Sequence, residues 1–369
     1  MKRELAISAM LIWTMSCAAA PQSQWPLKAR TEGPEPVFPV PVIQLSGDGA
    51  AMGQKLGQQL GPSIKQMSKD YFGKFFQSDA ERQMALQAAA GFEKQIAPEH
   101  LAEMRALARQ CGVDEREILL ANCFLDAVPM VACSTITLPA GASPDNVARF
   151  GRNLDFPGFG VAENGSVLLV FHPKDRYAFA SVTWPGMIGV LSGMNEHGLT
   201  LCSMEVDRTQ RPVTGMPYML LYRTLLERCK TVQDAVALLE KTPRQTANNL
   251  MLMDASGNRA VCEITPEKVV VRRAPEDQAL VSTNHHRGTD LDKPGRCARF
   301  DYLHDSSKQR FGKIDVDRLE AMLGKVAQGD MSIQSMVFEP SDRVIYLAVG
   351  ANAPTHPYGK LDLKPLLAR

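Results

Sequence analysis

The chain has 369 residues, 45% of them apolar, enough to bury a large core in one big domain or two moderate ones. Lysine and arginine total 41 against 40 aspartates and glutamates, with no basic stripe or acidic tail, which argues against nucleic acid as the main partner. A small ligand, apolar or mixed, suits such a chain better.

The first segment reads as an export signal over residues 1–20. Lys2 and Arg3 precede an apolar run from Leu5 to Met15, then Ser16-Cys17-Ala18-Ala19-Ala20. That is the order of charge, apolar core and small residues, and the run is too short to span a bilayer. Cys17 after Ser16 resembles a bacterial lipoprotein cleavage position, so simple release and membrane attachment through a lipidated Cys17 both stay open. The expected location is the periplasm or outer surface of a bacterium. Residues 21–41, rich in proline, read as an extended linker. Without Cys17 seven cysteines remain (Cys111, Cys123, Cys133, Cys202, Cys229, Cys262, Cys297), and an odd number leaves at least one thiol free or intermolecular.

Residues 42–132 read as a helical segment. Met52, Leu56, Leu60, Ile64, Met67 and Tyr71, then Leu101, Met104, Leu107 and Ala108, recur at three-and-four spacing. Ala97-Pro98-Glu99 predicts a helix start, Cys111-Gly112 a stop, and Asp114 a cap for a further helix through Leu120. Gly47-Asp48-Gly49-Ala50-Ala51-Met52-Gly53 lacks nucleotide-binding spacing and reads as a strand-to-helix turn.

From Cys133 to the end, residues 133–369, strands dominate. Candidates are 133–139, 147–154, 166–172, 177–184, 187–193 and 198–206, then 249–254, 259–265, 268–273 and 278–283. Helices are predicted over 217–229, 232–239, 296–306 and 316–327, with a hairpin at 334–349 turning at Ser341-Asp342. This order predicts two stacked antiparallel sheets with helices outside.

There is no G-x-S-x-G elbow, no H-E-x-x-H and no C-x-x-C, so serine hydrolase, zincin and thioredoxin chemistry have no local support. No cofactor or metal is expected. His285 and His286 are read as strand neighbours that face opposite ways, against a shared metal. The pattern that carries chemistry is Ala132-Cys133-Ser134-Thr135 followed by Gly151-Arg152-Asn153-Leu154-Asp155-Phe156. If the bond before Cys133 is cut, thiol and α-amine sit on one residue, and an amine of pKa about 7.7–8.0 can take the thiol proton without a histidine. Arg152 favours the thiolate, and Asp155 can orient the arginine or the amine. Residues three apart on a regular strand face opposite ways, so both reach Cys133 only if the strand bends or ends near Asn153. The bland alternative is a buried cysteine in a hairpin.

These motifs, with Gly193-Met194-Asn195-Glu196-His197-Gly198-Leu199, Asn249 through Gly257 to Glu263, and Thr283-Asn284-His285, resemble the N-terminal nucleophile (Ntn) hydrolases. The resemblance is to the branch of isopenicillin N acyltransferase, with choloylglycine hydrolase and acid ceramidase as wider relatives. It implies an αββα sandwich of two antiparallel sheets flanked by helices, made as a precursor and cut between Ala132 and Cys133. It implies Cys133 as nucleophile, Arg152 and Asp155 beside it, Asn249 as an oxyanion donor with the register open to Asn248, and Arg299 near the site. Departures are Ala132 where glycine is common, Glu205 where bile-salt-type relatives carry asparagine, and a missing serine near Arg299. Asn195 reads first as turn chemistry, with substrate contact as the alternative. His285 and Trp184 are further substrate-binding candidates, each set against a structural use.

The expected function is an autoproteolytically activated hydrolase that cleaves a small N-acyl amide through an acyl-enzyme on Cys133. The two processed chains are expected to stay together. Alternatives are an acyltransferase handing the acyl group to an amine, and a non-catalytic ligand-binding surface lipoprotein.

Overall fold

The computed structural model describes residues 37–127, 132–206, 214–288 and 296–368. The expected signal, with Cys17 and most of the linker, lies outside the described residues.

The N-terminal part contains β1 (Val42–Gly47), α1 (Gly49–Phe75), α2 (Asp79–Ala90), α3 (Pro98–Cys111) and α4 (Glu115–Ala127). Asp48 caps α1 by accepting the Ala51 N–H at 2.9 Å, the turn expected there. α3 starts at Pro98 and stops at Gly112, whose φ of 63° is left-handed. α4 continues seven residues past the expected end at Leu120. In α1, Gly49, Gly53 and Gly57 recur every fourth residue and lie against α3. A Cβ on Gly53 would come within 2.1 Å of the Glu103 carbonyl oxygen, so the two backbones touch where glycine allows it.

Six strands follow: β2 (Ala132–Leu138), β3 (Arg149–Asp155), β4 (Val167–Pro173), β5 (Phe179–Thr183), β6 (Ser192–Asn195) and β7 (Thr200–Glu205). Then come α5 (Tyr218–Arg228), α6 (Val232–Lys241), β8 (Asn248–Met253), β9 (Arg259–Ile264), β10 (Val269–Arg272) and β11 (Leu280–Ser282). The chain closes with α7 (Ala298–Gln309), α8 (Val316–Lys325), β12 (Ser332–Glu339), β13 (Val344–Val349), β14 (Gly359–Asp362) and α9 (Lys364–Leu367). His285 and His286 lie beyond β11 rather than on a strand.

One sheet has the order β1-β4-β5-β6-β7-β8-β9-β10, the other β11-β2-β3-β12-β13-β14. The ladders are antiparallel except at one edge, where β1 runs parallel to β4. The antiparallel expectation is corrected there, and the N-terminal segment contributes a strand as well as helices. A parallel neighbour needs a long crossover, and here everything from α1 to β3 supplies it. α5 and α6 pack on the first sheet, α7 and α8 on the second. Between the sheets the Thr135 hydroxyl meets Met204 Sδ at 3.1 Å, and Thr137 meets Met251 Sδ at 3.8 Å. The result is an αββα sandwich with its core between the layers.

Candidate active site

Cys133 stands near the head of β2, fully buried, paired with Leu154 on β3, while Ala132 pairs with Asp155. Strand alternation turns Cys133, Thr135 and Thr137 toward the opposite sheet. Arg152, paired with Thr135, points the same way, and its Nη1 donates to the Ser203 carbonyl at 2.8 Å. Burial, with the Asp155 charge, raises the Cys133 thiol above its ordinary pKa, although the Arg152 guanidinium and the Asp155 backbone N–H pull it down.

The Asp155 carboxylate serves the other face. It accepts the Ser332 hydroxyl at 2.5 Å and lies 3.5 Å from Arg299 Nη1. Ser332 comes opposite Asp155 at an irregularity in the β12 register between Ser332 and Gln334, where an extra residue bends the strand. Burial lifts Asp155 to about 6, against the pull of Arg299, Ser332 and Arg152. The three-residue spacing is therefore used on both faces. The Arg152 side chain serves the thiol, and the Asp155 carboxylate serves Arg299.

Arg299, in the first turn of α7, donates Nη1 to the Cys133 carbonyl at 2.6 Å and Nη2 to Asn284 Oδ1 at 2.9 Å. Asn284 Oδ1 also accepts the Cys133 backbone N–H at 2.8 Å, while its Nδ2 donates to the Glu205 carbonyl at 2.7 Å. Sequence reasoning quoted Thr283-Asn284-His285 but did not place Asn284 in the site. The signal was an asparagine directly after a short strand. Asn249, expected as an oxyanion donor, has its side-chain amide engaged with backbone. Its Nδ2 donates to the Thr283 and His285 carbonyls, both at 2.9 Å, so it shapes the segment that carries Asn284. Glu263, fully buried, holds the next residues, accepting the Arg287 N–H at 2.9 Å and the Gly288 N–H at 2.6 Å.

His285 meets a second thiol. Burial works against Cys297 ionising, yet His285, the Phe300 N–H, Thr283 and the charge of Arg299 bring it down to about 6. Trp184 donates its indole N–H to the Ala162 carbonyl at 2.6 Å. Its ring lines a small apolar cavity of about 50 Å³ with Ile64, Tyr71, Ile118, Phe124 and Phe156. Asn195 lies outside this cluster. Its Nδ2 donates to the Leu226 and Cys229 carbonyls, and its Oδ1 accepts the His197 and Leu199 N–H groups, a turn-building use. All seven described cysteines are free and buried. Among the described residues no cluster of His, Cys, Asp and Glu is arranged to hold a metal ion.

The family model of acyl-coenzyme A:6-aminopenicillanic acid acyl-transferase matches residues 142–354, more than half of the chain and the span that holds Arg152, Asp155, Asn249, Asn284 and Arg299. The chain belongs to this acyl-transferase family. The family match begins after β2, so Cys133 stands just upstream of it. The chain is 24% identical over 336 residues to an uncharacterized protein of Archaeoglobus fulgidus, covering 75% of this chain and 56% of that one. It is 28% identical over 163 residues to the N-acylethanolamine-hydrolyzing acid amidase of Oryctolagus cuniculus, covering 42% of this chain and 44% of that one. It thus spans about half the length of these relatives. Among solved structures it is similar to a Caenorhabditis elegans ortholog of that amidase, with a TM-score of 0.46 at 18% identity over 57% of this chain and 93% of the other.

Proposed function

We propose that this acyl-transferase family member is a cysteine Ntn enzyme that activates itself by cutting between Ala132 and Cys133 and then cleaves an N-acyl amide. The observation that carries the reading is the three-way hold on Cys133. Its N–H is on Asn284, its carbonyl on Arg299, and its thiol beside Arg152. In the cut, the thiol attacks the Ala132 carbonyl carbon, the C–N bond breaks, and the departing nitrogen takes the thiol proton. Water then hydrolyses the thioester, leaving an Ala132 carboxylate and a Cys133 with a free α-amine. That amine stands at Asn284 and becomes the base for the next attack, on substrate. Asn249 acts by holding the Asn284 segment, and Arg299 by holding Cys133 and Asp155 together.

The small apolar pocket bounded by Trp184 and Phe156, the residue after Asp155, supports a substrate with an apolar group. The name of the rabbit relative supports the same substrate class. Hydrolysis is the proposed outcome, with transfer to an amine wherever an acceptor displaces water. Export by the first twenty residues, with lipid attachment at Cys17 as one form, belongs to the same proposal.

Intact mass and denaturing gels of purified protein test it. Two chains are expected, the second beginning at Cys133, and Cys133→Ala is expected to stay as one chain. A folded wild-type protein that stays whole overturns the mechanism.

A further inference from the structure

α4 ends at Ala127, six positions upstream of Cys133, and two polar side chains near that end tie it to the strand-rich half. Asn122 is fully buried. Its Nδ2 donates to the Ile118 carbonyl at 2.8 Å and the Gly186 carbonyl at 3.0 Å, and its Oδ1 accepts the Ile188 and Gly189 N–H groups at 2.8 and 3.0 Å. One turn on, Asp126 accepts the Tyr218 N–H at 3.2–3.3 Å and the Thr246 hydroxyl. Tyr218 is the first residue of α5, so its N–H has no partner inside that helix and lies at the positive end of its dipole. Two side chains four residues apart lie on one face of α4, and both hold groups of the catalytic half.

The junction itself is held separately, from the strands. Ala132 is laddered to Asp155, and Cys133 is held by Asn284 and Arg299. From Ala127 to Ala132 is five Cα steps, a reach of at most about 18 Å. Both ends of the segment carrying the scissile carbonyl are therefore fixed to one frame.

We infer that Asn122 and Asp126 are positioning residues for the self-cleavage, anchoring the chain that leads into the Ala132 carbonyl, and that turnover does not use the Asp126 anchor. The inference rests on the proposed cut. Once the bond is broken, the new carboxyl end leaves the thiol and the clamp has nothing left to align.

The test uses the full chain as wild type, Asp126→Asn, Asp126→Glu and Asn122→Ala, with thermal melting to select folded variants. Appearance of two chains is followed on gels. Acylation of Cys133 by p-nitrophenyl hexanoate is read as mass gain on the second chain, per cut molecule. Asp126→Asn and Asn122→Ala are expected to slow the cut about 10–100-fold, as misalignment by about an ångström does. Asp126→Glu should recover part of the rate, and acylation per cut molecule of Asp126→Asn should stay at the wild-type value. Should Asn122→Ala fail to fold, Asp126→Asn, which swaps one oxygen for an amide, carries the test. A wild-type cutting rate in a folded variant overturns the inference, as does acylation that falls in step with the cut. A wild-type chain that stays whole, like Cys133→Ala, is a different result: it overturns the proposed function first and this inference with it.

Discussion

Asp155 shows how a single residue is tuned by its place. It is fully buried at the end of β3, touched by the Ser332 hydroxyl and facing Arg299, and its carboxyl is lifted to about 6. Below that pH it is neutral and cannot grip Arg299 by charge, so the cut should accelerate as pH rises through about 6. Asp155→Asn should lower the rate and remove that inflection, which a pH-jump series on gels reads directly. Stability runs the other way. The folded chain keeps a proton that the unfolded chain releases near 3.8, so folding stability falls as pH rises from 3.8 to about 6. Arg152 and Asp155 were legible because they share one strand with a fixed alternation. Asn284 was not, because it meets Cys133 across 151 residues of sequence. Asn249 and Asn284 look equally eligible in a string of letters. Only the placement of β11 beside β2 shows that Asn284 touches Cys133 and that Asn249 supports the segment carrying Asn284.

At the scale of elements, the closest packing in the N-terminal part is α1 on α3. Its glycines were visible in the sequence at four-residue spacing, but their purpose depends on a helix about fifty residues away. Gly53→Ala should lower unfolding free energy by about 1–3 kcal/mol, the usual penalty for overpacking, because its methyl would meet the Glu103 carbonyl. Gly73→Ala in the same helix is the control. Nothing lies within 4 Å of its added methyl, so stability should hold or rise slightly. Denaturant midpoints of the two variants decide the matter. The β12 irregularity belongs to this scale too. The sequence predicts the hairpin only from residue 334, and pairing with β3 reveals the extra residue that brings Ser332 to Asp155.

At the scale of the whole molecule, the segments on either side of the proposed cut are held together by more than apolar contact. β1 is a strand of the larger sheet, and a buried ionic group joins α3 to α5. Arg223 Nη2 lies 2.7 Å from Glu103, Arg223 Nε 2.8 Å from Glu227, and His100 3.1 Å from Glu227. The guanidinium also sits 4.6 Å from the centre of the Phe171 ring. Burial works against Glu227 ionising, yet Arg223 and His100 hold it down to about 2. The cut protein should therefore run as a single particle on size exclusion while showing two chains on a denaturing gel. Arg223→Ala should destabilise it by about 3–5 kcal/mol by stranding two buried carboxylates, read as a lower denaturant midpoint. Local regularity let the sequence alone determine the helix periods of α1 and α3, the stop at Gly112, the strand-rich half and a cysteine at a strand head with arginine and aspartate on the next. Those signals live within a few residues, where backbone periodicity and turn chemistry act. The parallel edge made by β1, the choice of Asn284 over Asn249, the meeting of Asp155 with Ser332 and Arg299, and the clamp at Asn122 and Asp126 were decided by tertiary structure. Each depends on contacts between distant segments, and no local preference of the chain encodes which of them will meet.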